Sequence, residues 1–180
     1  MGLADILGPD LRTVITGTIA AWDRAEREHY YATPGNAFWL LLHRSGLTPR
    51  HLAPEQDHTL PRYRIGLTDL VRTEPSPPGE LPRFDLASFH ATLRRTAPLA
   101  VAFVSKTAAG SYARAAGKRR PQRYGELPWS VAGRPAFVVP GPSGANNGMP
   151  LPLRIARWTD LADFLETLEI SPDRRGSPAT

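Results

Sequence analysis

Cysteine is absent from this 180-residue chain, which excludes structural disulfides, cysteine-type zinc sites, thiol nucleophiles and cysteine-bound iron–sulfur clusters together. Long apolar runs are missing too. The longest fall far short of the roughly 20 residues a membrane span needs, and no basic stretch followed by an apolar run opens the chain. A soluble, cytoplasmic protein is the expectation. Neither G-x-x-x-x-G-K-[ST] nor G-x-G-x-x-G occurs, so no nucleotide cofactor is expected. The five histidines lack metal-ligand spacing and H-E-x-x-H is absent. No metal is expected, and single histidines read as surface or packing residues.

What is present describes a globular protein. With 41% hydrophobic and 22% charged residues, the chain is long enough to bury roughly two thirds of its unfolded surface. One domain is expected over residues 1–170, followed by a flexible polar tail at 171–180. Lys and Arg number 22 against 17 Asp and Glu, a net +5 that is compatible with a polyanionic partner and also with many ordinary enzymes. The 19 prolines and 15 glycines ask for long ordered loops around a modest regular core.

The apolar pattern alternates between two kinds of segment. Residues 11–15, 66–71, 99–104 and 134–140 are short apolar or β-branched runs, which suit strands buried on both faces. Residues 36–46, 85–96, 107–116 and 159–170 carry apolar positions at helical spacing behind capping residues such as Asn36 and Asp85. Residues 73–79 hold three prolines and cannot be helical. This alternation predicts an α/β protein of three layers, with a central parallel four-stranded sheet between helices. In such folds the ligand site lies beyond the carboxyl ends of the strands, after Gly17, Leu70, Val104 and Pro140.

Three segments could carry chemistry. The long stretch 17–35 concentrates Asp23, Glu26, Glu28 and His29, all capable of general base work, beside Trp22, Tyr30 and Tyr31, which could stack on a planar ring. A charged surface loop with an aromatic cover is the alternative reading. Residues 140–148 are small or turn-forming, and such a loop admits a close backbone approach; a plain turn is its alternative. Arg114, Lys118, Arg119, Arg120 and Arg123 form a basic run with no acidic residue between Ser111 and Gly125. With Lys106 it would suit a nucleic-acid backbone, or simply form a solvated face.

The ordered landmarks 5–12, Gly17 with its loop, 34–39, 66–70, Ser105-Lys106 and 140–144 resemble the mismatch-specific uracil-DNA glycosylase and thymine-DNA glycosylase family over roughly the first 150 residues. The resemblance implies the uracil-DNA glycosylase fold and cleavage of the bond joining a damaged base to deoxyribose. The absence of cysteine separates the chain from the iron–sulfur branch. Such an enzyme flips its nucleotide into a pocket that stacks the base and hydrogen-bonds its edge. On this resemblance Tyr31 is the stacking aromatic and Asn36 opens the helix behind the pocket. Thr18, Asp69 and Asn146 complete the base-binding set, Asp69 standing where some relatives carry asparagine. Ser143, Gly144 and Ala145 belong to the loop that enters the duplex, where Ala145 is a smaller wedge than the family's leucine or arginine. Lys106, Arg119 and Arg120 would hold phosphate.

The first motif departs from the family. Its Gly-Ile-Asn-Pro-Gly uses asparagine to position the attacking water, whereas this chain reads Gly17-Thr-Ile-Ala-Ala21, with Ile19 in that place. Likewise Gly141 replaces the family's asparagine after the fourth strand. Asp23 is the first choice to replace the catalytic asparagine, with Glu28 and His29 next; a capping role is the alternative for Asp23. The leading expectation is a monomeric, monofunctional, metal-free and cofactor-free glycosylase acting on uracil or another deaminated base in DNA. A catalytically silent binder of uracil or abasic DNA and a hydrolase of free nucleosides are the competing readings.

Overall fold

A computed structural model describes residues 3–18, 28–70, 84–144 and 148–171. The apolar runs form strands β1 (Thr13–Gly17), β2 (Ile65–Asp69), β3 (Ala100–Val104) and β5 (Ala136–Val139), every residue of which is buried. They pair in parallel. A fifth strand, β4 (Gly125–Glu126), adds antiparallel to β5 and gives the order β2-β1-β3-β5-β4. Two residues reading Gly-Glu offer neither an apolar run nor an alternation, which is why the pattern predicts only the four parallel strands.

Alternate strand residues face opposite layers. Ile15, Ala102 and Val139 join the cluster beneath helices α1 (Phe38–Arg44) and α4 (Leu151–Ile170). Val14, Phe103 and Val138 join the cluster beneath α2 (Leu86–Thr96) and α3 (Lys106–Ala115). The three expected layers are present. Asp85 caps α2 by accepting the Ser88 N–H at 2.9 Å, and Ser105 caps α3 by accepting the Ala108 N–H at 3.1 Å.

The largest differences from the sequence pattern concern α4 and the stretch before β2. Helix α4 begins eight residues before 159, because Pro152 sits in the first turn, where a missing N–H is harmless. A 3₁₀ segment, Pro54–Tyr63, lies in a stretch that the apolar pattern leaves unassigned. In the α2/α3 layer, His90 Nε2 lies 2.9 Å from the Tyr112 hydroxyl. Burial there holds the histidine below its ordinary pKa, with Arg94 adding to the fall, and pushes the tyrosine up.

Gly66 shows why β2 lies at the sheet edge without exposing it. Ile6 exchanges two backbone hydrogen bonds with Leu67, at 3.0 and 2.7 Å, strapping the N-terminal segment over β2. A Cβ on Gly66 would stand 2.9 Å from Leu11 Cδ1 and 3.2 Å from the Ile6 carbonyl oxygen. Gly66→Ala should therefore destabilise the fold by about 1–3 kcal/mol through overpacking. Urea unfolding at equal m-value measures it, and an unchanged midpoint would show that the strap yields freely.

Candidate active site at the carboxyl ends of the strands

Strands β1 and β2 end side by side, Gly17 pairing with Asp69. A Cβ built on Gly17 would lie 3.4 Å from both Asp69 Oδ1 and the Tyr31 hydroxyl. A buried carboxylate, a phenol and an open backbone position thus converge where the topology places a ligand. Thr18, half-buried, follows directly.

Tyr31 reaches this point on a left-handed backbone, φ 53°, uncommon for a bulky residue. Its ring is seated on Phe38, centroids 3.8 Å apart and planes 16° from parallel. Phe38 is itself fixed edge-on between Trp39 and Trp158. The aromatic support is a rigid stack rooted in the core.

The glycine-rich loop after β5 closes the same end. Fully buried Trp158 donates its indole N–H to the Pro140 carbonyl at 3.0 Å, and the Ala37 N–H donates to the Pro142 carbonyl at 2.9 Å. Ser143 and Gly144 are exposed, and Gly144 packs so close to the Gly35 carbonyl that a Cβ would sit at 3.4 Å. The two loops singled out in the sequence therefore abut. Asn36 stands one residue before Ala37, the N-cap of α1, rather than at the cap itself, and its Oδ1 accepts the Phe38 N–H at 2.9 Å. Ser105, across from Gly141, holds φ 104° and ψ 153°, a region adopted almost only by glycine. No sequence signal marks that strain.

The catalytic candidates divide. Asp23 lies outside the described residues, as do Ile19, Ala145 and Asn146. Glu28 is exposed. His29 Nδ1 is buried 3.4 Å from Asp57 Oδ2 and makes no hydrogen bond among the described residues. Asp57 is buried and also accepts the Tyr30 N–H at 3.1 Å, so the 3₁₀ segment anchors the stretch leading into Tyr31. Asp57 escaped the sequence reading because nothing around it carries a motif. Among the described residues no group of three or more His, Asp or Glu side chains is arranged to hold a metal.

The basic run wraps α3. At the rim, Lys106 Nζ donates to the Gln122 carbonyl at 3.2 Å and lies 4.6 Å from the Tyr124 ring centre. Arg120 lies over Gly110, where a Cβ would meet its Nε at 3.2 Å. That is about 6 Å along the helix from Lys106. The Trp129 indole N–H donates to the Arg119 carbonyl at 3.0 Å. Lys118, Arg119, Arg120 and Arg123 are all exposed. Arg114, near the far end of α3, stands away from the rim.

The family model described as the uracil DNA glycosylase superfamily matches residues 4–162. Among solved structures, the chain is similar to the solution NMR structure of a candidate uracil DNA glycosylase from Methanosarcina acetivorans. That likeness has a TM-score of 0.62 and 23% identity, over 92% of this chain and 97% of that one. At this identity it speaks for the fold, and no described helix is long and apolar enough to cross a membrane.

Proposed function

The chain belongs to the uracil DNA glycosylase superfamily, and on that premise we propose that it hydrolyses the N-glycosidic bond of uracil or another deaminated base in DNA. The observation that carries this reading is the convergence of the Tyr31 hydroxyl and Asp69 Oδ1 on Gly17. A nucleotide swung out of the stack lays its base on the Tyr31 ring, which the Phe38 stack holds in orientation before binding. The missing side chain at Gly17 leaves room for the base edge, and Thr18 and Asp69 are the polar groups beside it. Asn146 is the proposed contact from the loop after β5.

Water is the nucleophile. Asp23, Glu28 and His29 are the groups proposed to orient it. The exposed tip at Ser143 and Gly144 enters the duplex with Ala145, whose small side chain favours already open DNA. Incubation with uracil-containing single-stranded and mismatched oligonucleotides, followed by alkali to reveal abasic sites, tests the reaction. Cleavage is the expected result. Tight binding without cleavage would instead support a catalytically silent binder, a reading favoured by Ile19 in the place of the expected asparagine.

The proposed phosphate contacts make a separate prediction. Arg119→Ala and Arg120→Ala should each reduce the slope of log affinity against log salt by about 1, without changing the preferred base. Fluorescence anisotropy over a salt series measures the slope. An unchanged slope in both variants would reduce the run to a solvated face.

A further inference from the structure

At the opposite end of the sheet, Arg12 immediately precedes β1 and Arg64 immediately precedes β2. Across strands of five residues this is about 15 Å from the Gly17 site. The two arginines line a cleft of about 360 Å³ together with Arg62, Tyr63, Leu47 and Glu169. Arg64 spends its guanidinium on neighbours, with Nη1 donating to Glu169 Oε1 at 2.6 Å and Nε to the Asp10 carbonyl at 2.8 Å. Its backbone is left-handed, φ 61°, where glycine or asparagine would be cheaper. Arg12 is different. Its Nη2 donates to the Leu47 carbonyl at 2.7 Å, while its buried Nε finds no acceptor among the described residues. Arg62 is exposed at the mouth.

We infer that this cleft is a second binding site, distinct from the base site, for a small phosphomonoester. Three arginines face one glutamate, an excess of two positive charges that matches a dianionic phosphate. Asp10, the further carboxylate on Arg64, is 84% exposed and lies at the edge of this balance. Guanidinium groups fit phosphate oxygens in pairs, and exposed Arg62 brings one to the mouth of the cleft beside Arg12 and Arg64. Burial lowers the Arg12 pKa, with Glu169 opposing and Arg64 adding to the fall. The cleft is shallow and open to solvent, and wider than a bare phosphate requires. Tyr63 and Leu47 offer a wall for a sugar-sized organic body.

The test follows backbone amide shifts of the full chain titrated with inorganic phosphate and with deoxyribose 5-phosphate, at constant ionic strength. Saturable shifts are expected at Gly46, Leu47 and Arg64, with the sugar phosphate binding more tightly than phosphate. Arg62→Gln, at an exposed position that the fold does not need, should weaken binding about tenfold, and Glu169→Gln, which removes the competing carboxylate, should tighten it. A 5′-phosphorylated oligonucleotide compared with its 5′-hydroxyl counterpart distinguishes a strand terminus from a free sugar phosphate as the source of the group. Absence of saturable shifts in this cleft would overturn the inference. So would shifts confined to Lys106 and residues 122–124, or affinity unchanged in both variants, since the arginines would then be a structural ion-pair framework alone. None of these outcomes depends on glycosylase activity.

Discussion

Replacing Trp158 by alanine is expected to destabilise the fold by about 3–5 kcal/mol, the range for truncating a large buried aromatic ring. The residue is fully buried, sits edge-on to Phe38 at 5.7 Å and is the donor that holds the Pro140 carbonyl at the start of the glycine-rich loop. Both supports of the proposed base pocket therefore meet in one side chain. Trp158→Phe separates the two roles: it keeps most of the ring but leaves the carbonyl without its donor, at about 1–3 kcal/mol. Chemical unfolding reads the stability, and single-turnover rates at a temperature where the variant is folded read the loop. A Trp158→Phe protein with the normal rate would show that Pro140 is held well enough by the strand before it.

Tyr31→Ala is expected to lower kcat/KM on uracil-containing DNA about 10–100-fold. Aromatic stacking on a base contributes about 1–3 kcal/mol, and each 1.4 kcal/mol is roughly a factor of ten. Stability should change less, because the ring is only partly buried and a small residue relaxes no worse at φ 53°. Tyr31→Phe keeps the stack on Phe38 and deletes the hydroxyl beside Gly17, so the difference between the two variants assigns the hydroxyl's share. Equal rates for wild type and Tyr31→Ala would remove Tyr31 from the base site.

The strands were legible because continuous apolar runs such as 99–104 have few other uses in a chain of this size, and burial on both faces imposes that pattern. Helix α2 was legible to the residue, since Asp85 is both a capping type and the observed cap. What escaped the pattern was held by tertiary contact. The strand Gly125–Glu126 exists because β5 offers it an edge, and the 3₁₀ segment follows no apolar period.

The convergence of the candidate segments was legible in the sequence; their chemistry was not. The rule that ligands bind beyond the carboxyl ends of parallel strands led to the segments after Gly17, Leu70 and Pro140, the family resemblance added Asp69 and Tyr31, and the structure brings these residues together. Asp57 was invisible, and Ser105, although part of a landmark, gave no sign of its backbone strain. One acts through a backbone N–H and an imidazole contact 27 and 28 residues away in sequence, and the other through a backbone angle that its residue type does not advertise. The basic run, uniform in sequence, acquires a direction in the fold: Lys106 and residues 122–124 lie together at the rim, while Arg114 stands away from it.

The central claim is that the pocket around Tyr31, Gly17 and Asp69 releases a deaminated base. The most direct measurement is chromatographic quantification of free uracil released in a single turnover from a single-stranded oligonucleotide and from a G·U mismatch, with Tyr31→Ala alongside. The wild type is expected to release uracil stoichiometrically, faster from the single strand, and the variant about 10–100-fold more slowly. Tight binding of both oligonucleotides with no uracil released would contradict it.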